Sequence, residues 1–210
     1  ADQQKTLRNG KQALLIVKFT TLQLIAGRKI SSRKFILARL YCLARLFILK
    51  NYFGEQMKNL KGRCVFAQSG GPTTVINASI AGGLLEALDS ENITGVLCAH
   101  HGIKGVLDED FFDISAEDRA ELEALKYTPA SAFGSVRYKL KNPAEDDSDY
   151  RRILEVFKKY DIRYFFYNGG NDSMDTCDKI SKYMQKSGYD MNVIGIPKTI
   201  DNDLCGTDHC

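Results

Sequence analysis

The chain has 210 residues, of which 44% are apolar and 26% are charged. This composition excludes an intrinsically disordered chain and is enough for one large domain or two small ones. The six cysteines include no Cys-x-x-Cys pair. The sequence therefore predicts reduced thiols in a cytoplasmic protein rather than a disulfide framework.

The charge changes sign along the chain. Residues 1–56 contain eleven Lys/Arg and two Asp/Glu, a net charge of +9, whereas residues 57–210 contain eighteen and twenty-four, a net charge of −6. The basic segment has no uninterrupted apolar run of the ~20 residues that a transmembrane helix needs. Because Met57 and a short basic lead precede the first strand-like run, we interpret residues 1–56 as a leader that is not native. A targeting segment and a genuine extension that binds a membrane or nucleic-acid surface remain open.

From Met57 onward, short apolar runs alternate with segments of helical periodicity. This alternation predicts an α/β fold, a doubly wound and mainly parallel sheet with helices on both faces. Residues 128–141 have mixed polarity and are predicted to form a loop. The predicted strands are Cys64–Gln68, Asn92–Ala99, Tyr164–Tyr167 and Met191–Ile196, and the predicted helices are Thr74–Leu88, a short helix capped by Ser115 that runs through Leu125, Tyr150–Tyr160 and Ser173–Lys186.

A glycine turn follows the first predicted strand and precedes the first helix. Its sequence is Ser-Gly-Gly-Pro at residues 69–72. Such a turn presents unpaired backbone N–H groups at the positive end of a helix, where the backbone of Gly70 is suited to bind a phosphate. A tight turn without a ligand is the alternative. The chain has no Gly-x-x-x-x-Gly-Lys-Ser/Thr motif, which excludes a P-loop.

A second glycine turn, Gly-Gly-Asn-Asp-Ser at residues 169–173, follows the third predicted strand. Asn171 and Asp172 are oxygen donors of the kind that bind magnesium, directly or through water. The alternative is that Asp172 or Ser173 only caps the following helix.

The segment at residues 197–203 combines a lysine, a threonine and two aspartates in a polar loop. Asp201 is suited to accept a proton from a sugar hydroxyl, and Thr199 to bind the same sugar or its phosphoryl group. Lys198 is suited to neutralise charge on a transferring phosphoryl group. A solvated turn does not require this combination, so the segment favours a functional site.

The predicted loop at residues 128–141 carries Arg137 in the run Gly-Ser-Val-Arg. A guanidinium can hold a phosphate through two parallel hydrogen bonds. A solvated surface arginine is the alternative. The pair His100-His101 is interpreted as the end of the second strand rather than as a catalytic unit.

Together these runs resemble the phosphofructokinase family, in particular its pyrophosphate-dependent branch. The resemblance covers residues 57–210, and its last motif is the most specific. The matching runs, in the order of the family, are Ser-Gly-Gly-Pro at 69–72, Gly-Ser-Val-Arg at 134–137, Gly-Gly-Asn-Asp-Ser at 169–173 and Pro-Lys-Thr-Ile-Asp-Asn-Asp at 197–203.

The resemblance implies phosphoryl transfer from pyrophosphate to the 1-hydroxyl of fructose 6-phosphate, with Mg²⁺ as cofactor and a homo-oligomer at full length. By the match, Gly70 binds the donor phosphate through its backbone and Arg137 bridges the phosphates. Asp201 is the proton acceptor, with Thr199 on the sugar side and Asp203 assisting. No nucleic-acid or membrane partner is expected.

Two positions distinguish the donor. Members of the family that use ATP resemble Gly-Gly-Asp-Gly-Ser and Pro-Gly-Thr-Ile-Asp, so Asp172 and Lys198 each stand where those members have glycine. The carboxylate of Asp172 would repel the α-phosphate of ATP, and Lys198 would supply positive charge to the departing phosphate. The aspartate that binds magnesium in the family is Asn171 in this chain, so Asp172 shares or takes over the metal role.

The family also has a second α/β domain that binds the sugar phosphate. We therefore interpret residues 57–210 as an N-terminal donor-binding domain, truncated before the sugar-binding domain is complete and inactive alone. Within the family, an ATP-dependent 6-phosphofructokinase is the alternative. Outside it, the alternatives are a NAD- or lipid-kinase-like protein and a non-catalytic phosphate-binding fragment that pairs with another subunit.

Overall fold

Strands and helices alternate along the part of the chain that the structure describes. The structure, a computed structural model, describes residues 60–199 and residue 201. The leader predicted at residues 1–56 and the candidate residue Asp203 lie outside this part. The strands are β1 (Gly62–Gln68), β2 (Ile93–Ala99), β3 (Phe111–Asp113), β4 (Ile162–Gly169) and β5 (Asn192–Pro197), and the α-helices are α1 (Thr74–Leu88), α2 (Ile103–Asp108), α3 (Arg119–Ala124), α4 (Ser148–Lys159) and α5 (Asn171–Lys186).

The five strands form one sheet in the order β3-β2-β1-β4-β5. β1 pairs in parallel with β2 on one side and with β4 on the other, and β5 continues in parallel beyond β4. Only the three-residue β3 is antiparallel to its neighbour among the strands of this sheet. The chain therefore moves outward from β1 in one direction, then returns and moves outward in the other. The prediction of a mainly parallel sheet is confirmed.

The two faces of the sheet belong to two separate apolar cores. On β1, Val65 and Ala67 pack with buried residues of α2, α4 and α5, whereas Cys64 and Phe66 pack with buried residues of α1 and α3. Side chains alternate across a strand, so this division follows from the period of two in the sequence. Helices cover both faces, and the doubly wound architecture is confirmed.

The segment after β2 differs from the prediction. It contains the six-residue helix α2 and the short strand β3, neither of which was predicted, because elements so short have too few residues to show a period. The prediction that Ser115 caps a helix is wrong. The side chain of Asp118 caps α3 by accepting the N–H of Ala120, while Ser115 Oγ accepts the N–H of Val96 at 3.0 Å.

Three cysteines are buried and free in the described part of the chain, namely Cys64, Cys98 and Cys177. Burial raises the pKa of the Cys64 thiol and of the Cys177 thiol to about 12 in each case. These thiols stay protonated at neutral pH and act as small apolar core residues. In residues 60–199 and 201, no helix has the length and hydropathy needed to cross a membrane.

Candidate active site

Three of the predicted motifs follow strands that end at the same edge of the sheet. Gln68 ends β1 and pairs with Asn168 of β4, and Gly169 at the end of β4 pairs with Pro197 at the end of β5. The direction of chain progression reverses between β1 and β4. In doubly wound sheets, this reversal opens a crevice at the carboxyl ends of the strands, where ligands bind.

The turn after β1 lies against the segment that follows β5. Gly70 has φ of +81°, a conformation that favours glycine. A β-carbon at this position would lie 3.6 Å from the backbone nitrogen of Gly170 and 4.0 Å from Nζ of Lys198. The N–H of Lys198 donates to the carbonyl of Gly169 at 2.9 Å, and this bond fixes the start of the lysine segment. The structure therefore brings Gly70 and the ammonium group of Lys198 together.

The helix α5 begins at Asn171, immediately after Gly170. The N-cap residue is Gly170, and no side chain makes a cap hydrogen bond. The alternative in which Asp172 or Ser173 caps this helix is therefore wrong. Ser173 is buried, whereas Asn171 and Asp172 are exposed in the first turn. Their oxygens lie at the positive end of the helix dipole, where an anion or a hydrated cation can reach them.

A cleft of about 370 Å³ separates the Gly70 turn from the loop that carries Arg137. This volume lies near the lower end of the range for small-molecule sites, ~300–1,000 Å³. Arg137 is exposed and lines the cleft, so the structure brings it together with the Gly70 turn. The lining residues are Gly70, Gly71, Pro72, Ala130, Ser131, Gly134, Ser135, Val136 and Arg137.

Two serine hydroxyls connect the walls of this cleft. Ser135 donates its hydroxyl to the carbonyl of Gly70 at 2.6 Å, and Ser69 donates its hydroxyl to the carbonyl of Val136 at 3.4 Å. The turn and the loop thus hold each other at a defined distance.

The loop is also supported by the end of β2. The N–H of His101 donates to the carbonyl of Phe133 at 2.8 Å, and a β-carbon on Gly134 would lie only 2.5 Å from His101 Nδ1. Gly134 has φ of +74° and no β-carbon, so it adopts this backbone conformation and the close approach to His101 without strain. His101 stacks on His100, whose Nδ1 lies 2.9 Å from a carboxylate oxygen of Asp110. The histidine pair packs against the loop, at the strand end where it was predicted.

Two fully buried amide side chains, Gln68 and Asn77, contact the same loop and were not identified from the sequence. Gln68 was placed in the first strand and Asn77 in the following helix, with no role for either. The sequence did contain a signal for a buried role of Asn77. Asn77 stands three residues before Ile80 and seven before Leu84, on the apolar face of α1, where a polar side chain must find a hydrogen-bond partner.

The segment after β5 places Thr199 and Asp201 next to each other. The N–H of Asp201 donates to Oγ1 of Thr199 at 3.3 Å, and Asp201 is exposed. Asp203 lies outside the described residues. Within residues 60–199 and 201, no cluster of three or more His, Cys, Asp or Glu side chains has the spacing of a metal site.

Comparison with known proteins identifies the same segment of the chain. The model of the phosphofructokinase family matches residues 63–210. Over 146 residues the chain is 52% identical to a pyrophosphate--fructose 6-phosphate 1-phosphotransferase of Halomonas elongata, a match that covers 69% of this chain and 35% of the relative. A protein of the same name from Xanthomonas campestris is 50% identical over 149 residues, covering 71% and 35%.

A solved structure extends this likeness to the fold. The pyrophosphate-dependent phosphofructokinase from Nitrosospira multiformis superposes with a TM-score of 0.65 at 48% sequence identity. The superposition covers 71% of this chain and 36% of that one. The chain thus spans about a third of the length of these relatives.

Proposed function

The chain belongs to the phosphofructokinase family, and we propose that it forms the donor side of an enzyme that transfers a phosphoryl group from pyrophosphate to fructose 6-phosphate. The acceptor is the 1-hydroxyl, and the products are fructose 1,6-bisphosphate and phosphate. The names of relatives at about 50% identity support this substrate pair.

The observation that carries the proposal is the position of Lys198. Its ammonium group lies beside the Gly70 turn, 4.0 Å from where a β-carbon of Gly70 would be. Arg137 faces the same turn across the cleft. A glycine turn between two cations is suited to a small, highly charged anion such as pyrophosphate. Lys198 would neutralise the charge that builds on the departing phosphate.

In this proposal Asp201 is the general base. It accepts the proton of the 1-hydroxyl as the oxygen attacks the phosphorus and the bond to the departing phosphate breaks. Thr199 binds the sugar or its phosphoryl group, and Asp203 assists. The exposure of Asp201 and its backbone contact with Thr199 are consistent with these roles. The backbone of Gly70 and the guanidinium of Arg137 bind the donor.

Magnesium fits the donor set at the start of α5. Asn171 and Asp172 supply an amide oxygen and a carboxylate, both exposed. Mg²⁺ is usually held by one or two protein oxygens together with substrate phosphates and water, so a larger protein cluster is not required. We propose that these two residues hold the ion, which would neutralise phosphate charge when bound.

Asp172 would also select the donor. It stands in the first turn of α5 with an exposed carboxylate, at a position where members of the family that use ATP have glycine. A carboxylate close to the α-phosphate of ATP is repulsive, whereas pyrophosphate is too short to reach it. Asp172 and Lys198 therefore both favour pyrophosphate over ATP: Asp172 repels ATP, and Lys198 stabilises the phosphate that departs from pyrophosphate.

The domain interpretation is part of the same proposal. Residues 57–210 form the N-terminal donor-binding domain, and the complete enzyme is a cytoplasmic homo-oligomer with neither nucleic-acid nor membrane partners. The ATP-dependent reaction and a non-catalytic phosphate-binding role are the outcomes against which the proposal is tested.

A chimera tests the proposal directly. Residues 63–210 would replace the matching 35% of the Halomonas elongata relative, which supplies the rest of the protein. Phosphorylation of fructose 6-phosphate would be measured with pyrophosphate and, separately, with ATP. We expect activity with pyrophosphate and little or none with ATP. Asp201→Asn should lower kcat by ~10²–10⁴-fold, the usual contribution of a general base.

The donor assignment has its own variant. Replacing Asp172 and Lys198 together by glycine should raise the ratio of ATP to pyrophosphate activity. A chimera that prefers ATP before this replacement would contradict the role of the two residues. A folded chimera inactive with both donors would favour a non-catalytic phosphate-binding role for this chain.

A further inference from the structure

We propose that Gln68 and Asn77 are positioning residues that hold the loop of residues 128–137 against the Gly70 turn, and thereby place Arg137 for the donor phosphate. The effect on the donor rests on the function proposed above. The effect on the loop does not depend on any ligand.

The two amides connect a strand to a helix. Gln68 is the last residue of β1 and Asn77 lies in the first turn of α1, and both are fully buried. Nε2 of Gln68 donates to Oδ1 of Asn77 at 2.9 Å. Each amide has further hydrogen-bonding capacity, which water cannot satisfy at this depth.

Gln68 uses that capacity on the loop. Its Oε1 accepts the hydroxyl of Ser131 and the backbone N–H of Phe133, each at 2.9 Å. Both lone-pair directions of the carbonyl oxygen are therefore occupied by loop groups. Residues 131–133 are therefore held by the end of β1, in addition to the bond from the N–H of His101 to the carbonyl of Phe133, and not by any strand or helix of the loop itself.

Asn77 holds the same part of the loop and its beginning at Thr128. Its Oδ1 accepts the backbone N–H of Ala132 at 2.8 Å, and its Nδ2 donates to the carbonyl of Thr128 at 2.9 Å. The two amides together satisfy one hydroxyl and three backbone groups of a segment that has no regular secondary structure. Leaving such buried groups unpaired is costly, so the loop has one strongly preferred position.

The position of residues 131–133 restricts the position of Arg137, because Arg137 follows them closely in the same loop. Three residues lie between Phe133 and Arg137, and one of them, Ser135, donates to the carbonyl of Gly70 at 2.6 Å. The loop is thus held at Phe133 by Gln68 and at Ser135 by the Gly70 turn, both of which precede Arg137 in the chain. A third buried amide, Asn168, instead donates to the carbonyl of Ile76 in α1, so contact with the loop is particular to Gln68 and Asn77 among these three.

The experiment compares Gln68→Leu and Asn77→Leu with the unchanged 210-residue chain. Backbone hydrogen exchange of residues 128–137 would be measured without ligand, and pyrophosphate affinity by calorimetry. We expect protection of the loop to fall by at least about tenfold in each variant, since buried groups lose their partners. Pyrophosphate affinity should fall by at least about tenfold as well, because Arg137 is no longer held in place.

Two further variants separate positioning from general destabilisation. Val156→Ala removes methyl groups from the opposite core and should lower global stability without a selective change in loop exchange. Gln68→Glu should retain most of the protection, because burial keeps the carboxyl neutral and its carbonyl and O–H reproduce the acceptor and donor of the amide. Ser131→Ala, a milder change in a partly exposed residue, should loosen the loop if the leucine variants do not fold.

Unchanged loop exchange in folded leucine variants, or in Ser131→Ala when they do not fold, would overturn the proposal. Increased exchange with unchanged pyrophosphate affinity would overturn the positioning role toward the donor. If the unchanged chain binds no pyrophosphate, the donor function fails together with that role. Exchange measured without ligand still decides separately whether the two amides hold the loop.

Discussion

The faces of the sheet and its carboxyl edge are stabilised by different interactions. On one face, Phe157 of α4 packs against Phe165 of β4 with ring centroids 5.5 Å apart, within a core of buried apolar side chains. At the edge, Gln68 and Asn77 hold a loop through hydrogen bonds of 2.8–2.9 Å. Apolar burial is non-directional, whereas a hydrogen bond weakens steeply when its angle or distance changes. The faces therefore supply stability, and the edge supplies geometry.

The difference has a consequence for mutations. A change on a face should alter the free energy of unfolding with little effect on ligand affinity in the folded molecules. A change of an exposed side chain at the edge, such as Arg137, should alter affinity with less effect on unfolding. Pairs of variants, one from each region, test whether the two properties separate as this comparison requires.

The largest effect is expected on a face. Phe157→Ala should lower the free energy of unfolding by about 3–5 kcal/mol, because it removes a fully buried ring and leaves a cavity. Urea denaturation followed by circular dichroism measures this change. Pyrophosphate affinity per folded molecule should not change. Tyr127→Ala is the matched control, since the Tyr127 side chain is 89% exposed and should contribute little. Equal losses for both variants would contradict the division between face and surface.

A change at the edge should have the opposite signature. Arg137→Ala should weaken pyrophosphate binding by about 10–100-fold, the value of a charge-assisted hydrogen bond to phosphate, while the unfolding midpoint stays near that of the unchanged chain. Isothermal titration calorimetry measures the affinity. Lys139→Ala removes an exposed cation two residues further along and should leave it unchanged. A similar loss in both variants would mean that the cleft attracts anions only by its general positive charge.

The smallest effect concerns an ion pair on a face. Lys159 of α4, and then Arg152, lower the pKa of Glu109 to about 2 from an ordinary value of 4.5. Because the folded pKa is the lower one, this contribution to stability is present above pH 4.5 and is lost as the pH falls toward 2. Glu109→Gln should therefore reduce the fall in urea midpoint between pH 4.5 and pH 2.

Lys159→Met removes the first partner and should reproduce part of that change. Pyrophosphate affinity at neutral pH should be unaffected in both variants, because the pair lies between α2 and α4 rather than at the carboxyl edge. An acid dependence identical to that of the unchanged chain would show that Glu109 gains nothing from its partners in the folded state.

The elements that the sequence predicted correctly share one property. The helix Thr74–Leu88 was predicted with the bounds that the structure shows, and β4 and β5 were placed within two residues at each end. Each contains apolar residues in a pattern that is visible in the sequence, a helical period over fifteen residues in the helix and a short apolar run in each strand. The strand Phe111–Asp113 and the Asp118 cap were missed, because three residues have no period and several polar residues nearby can cap a helix.

The candidate site divides in the same way. Glycine turns at 69–72 and 169–173 could be placed at strand ends from their residue types alone. The contact between Gly70 and Lys198 could not, because it depends on the order of strands in the sheet. The buried role of Gln68 was equally hidden, since a polar residue at the end of a strand is more often solvated than buried.

The sequence by itself determined the fold class, the positions of the glycine turns after predicted strands, and the residue types available for phosphate chemistry. These follow from local periods and from the chemistry of single side chains. Only the tertiary structure decided which motifs meet, that Gly170 and not a side chain caps α5, and that two buried amides fix the loop of Arg137. Such contacts join residues far apart in the chain, and they depend on directional hydrogen bonds that exist only once the sheet has brought their donors and acceptors within reach.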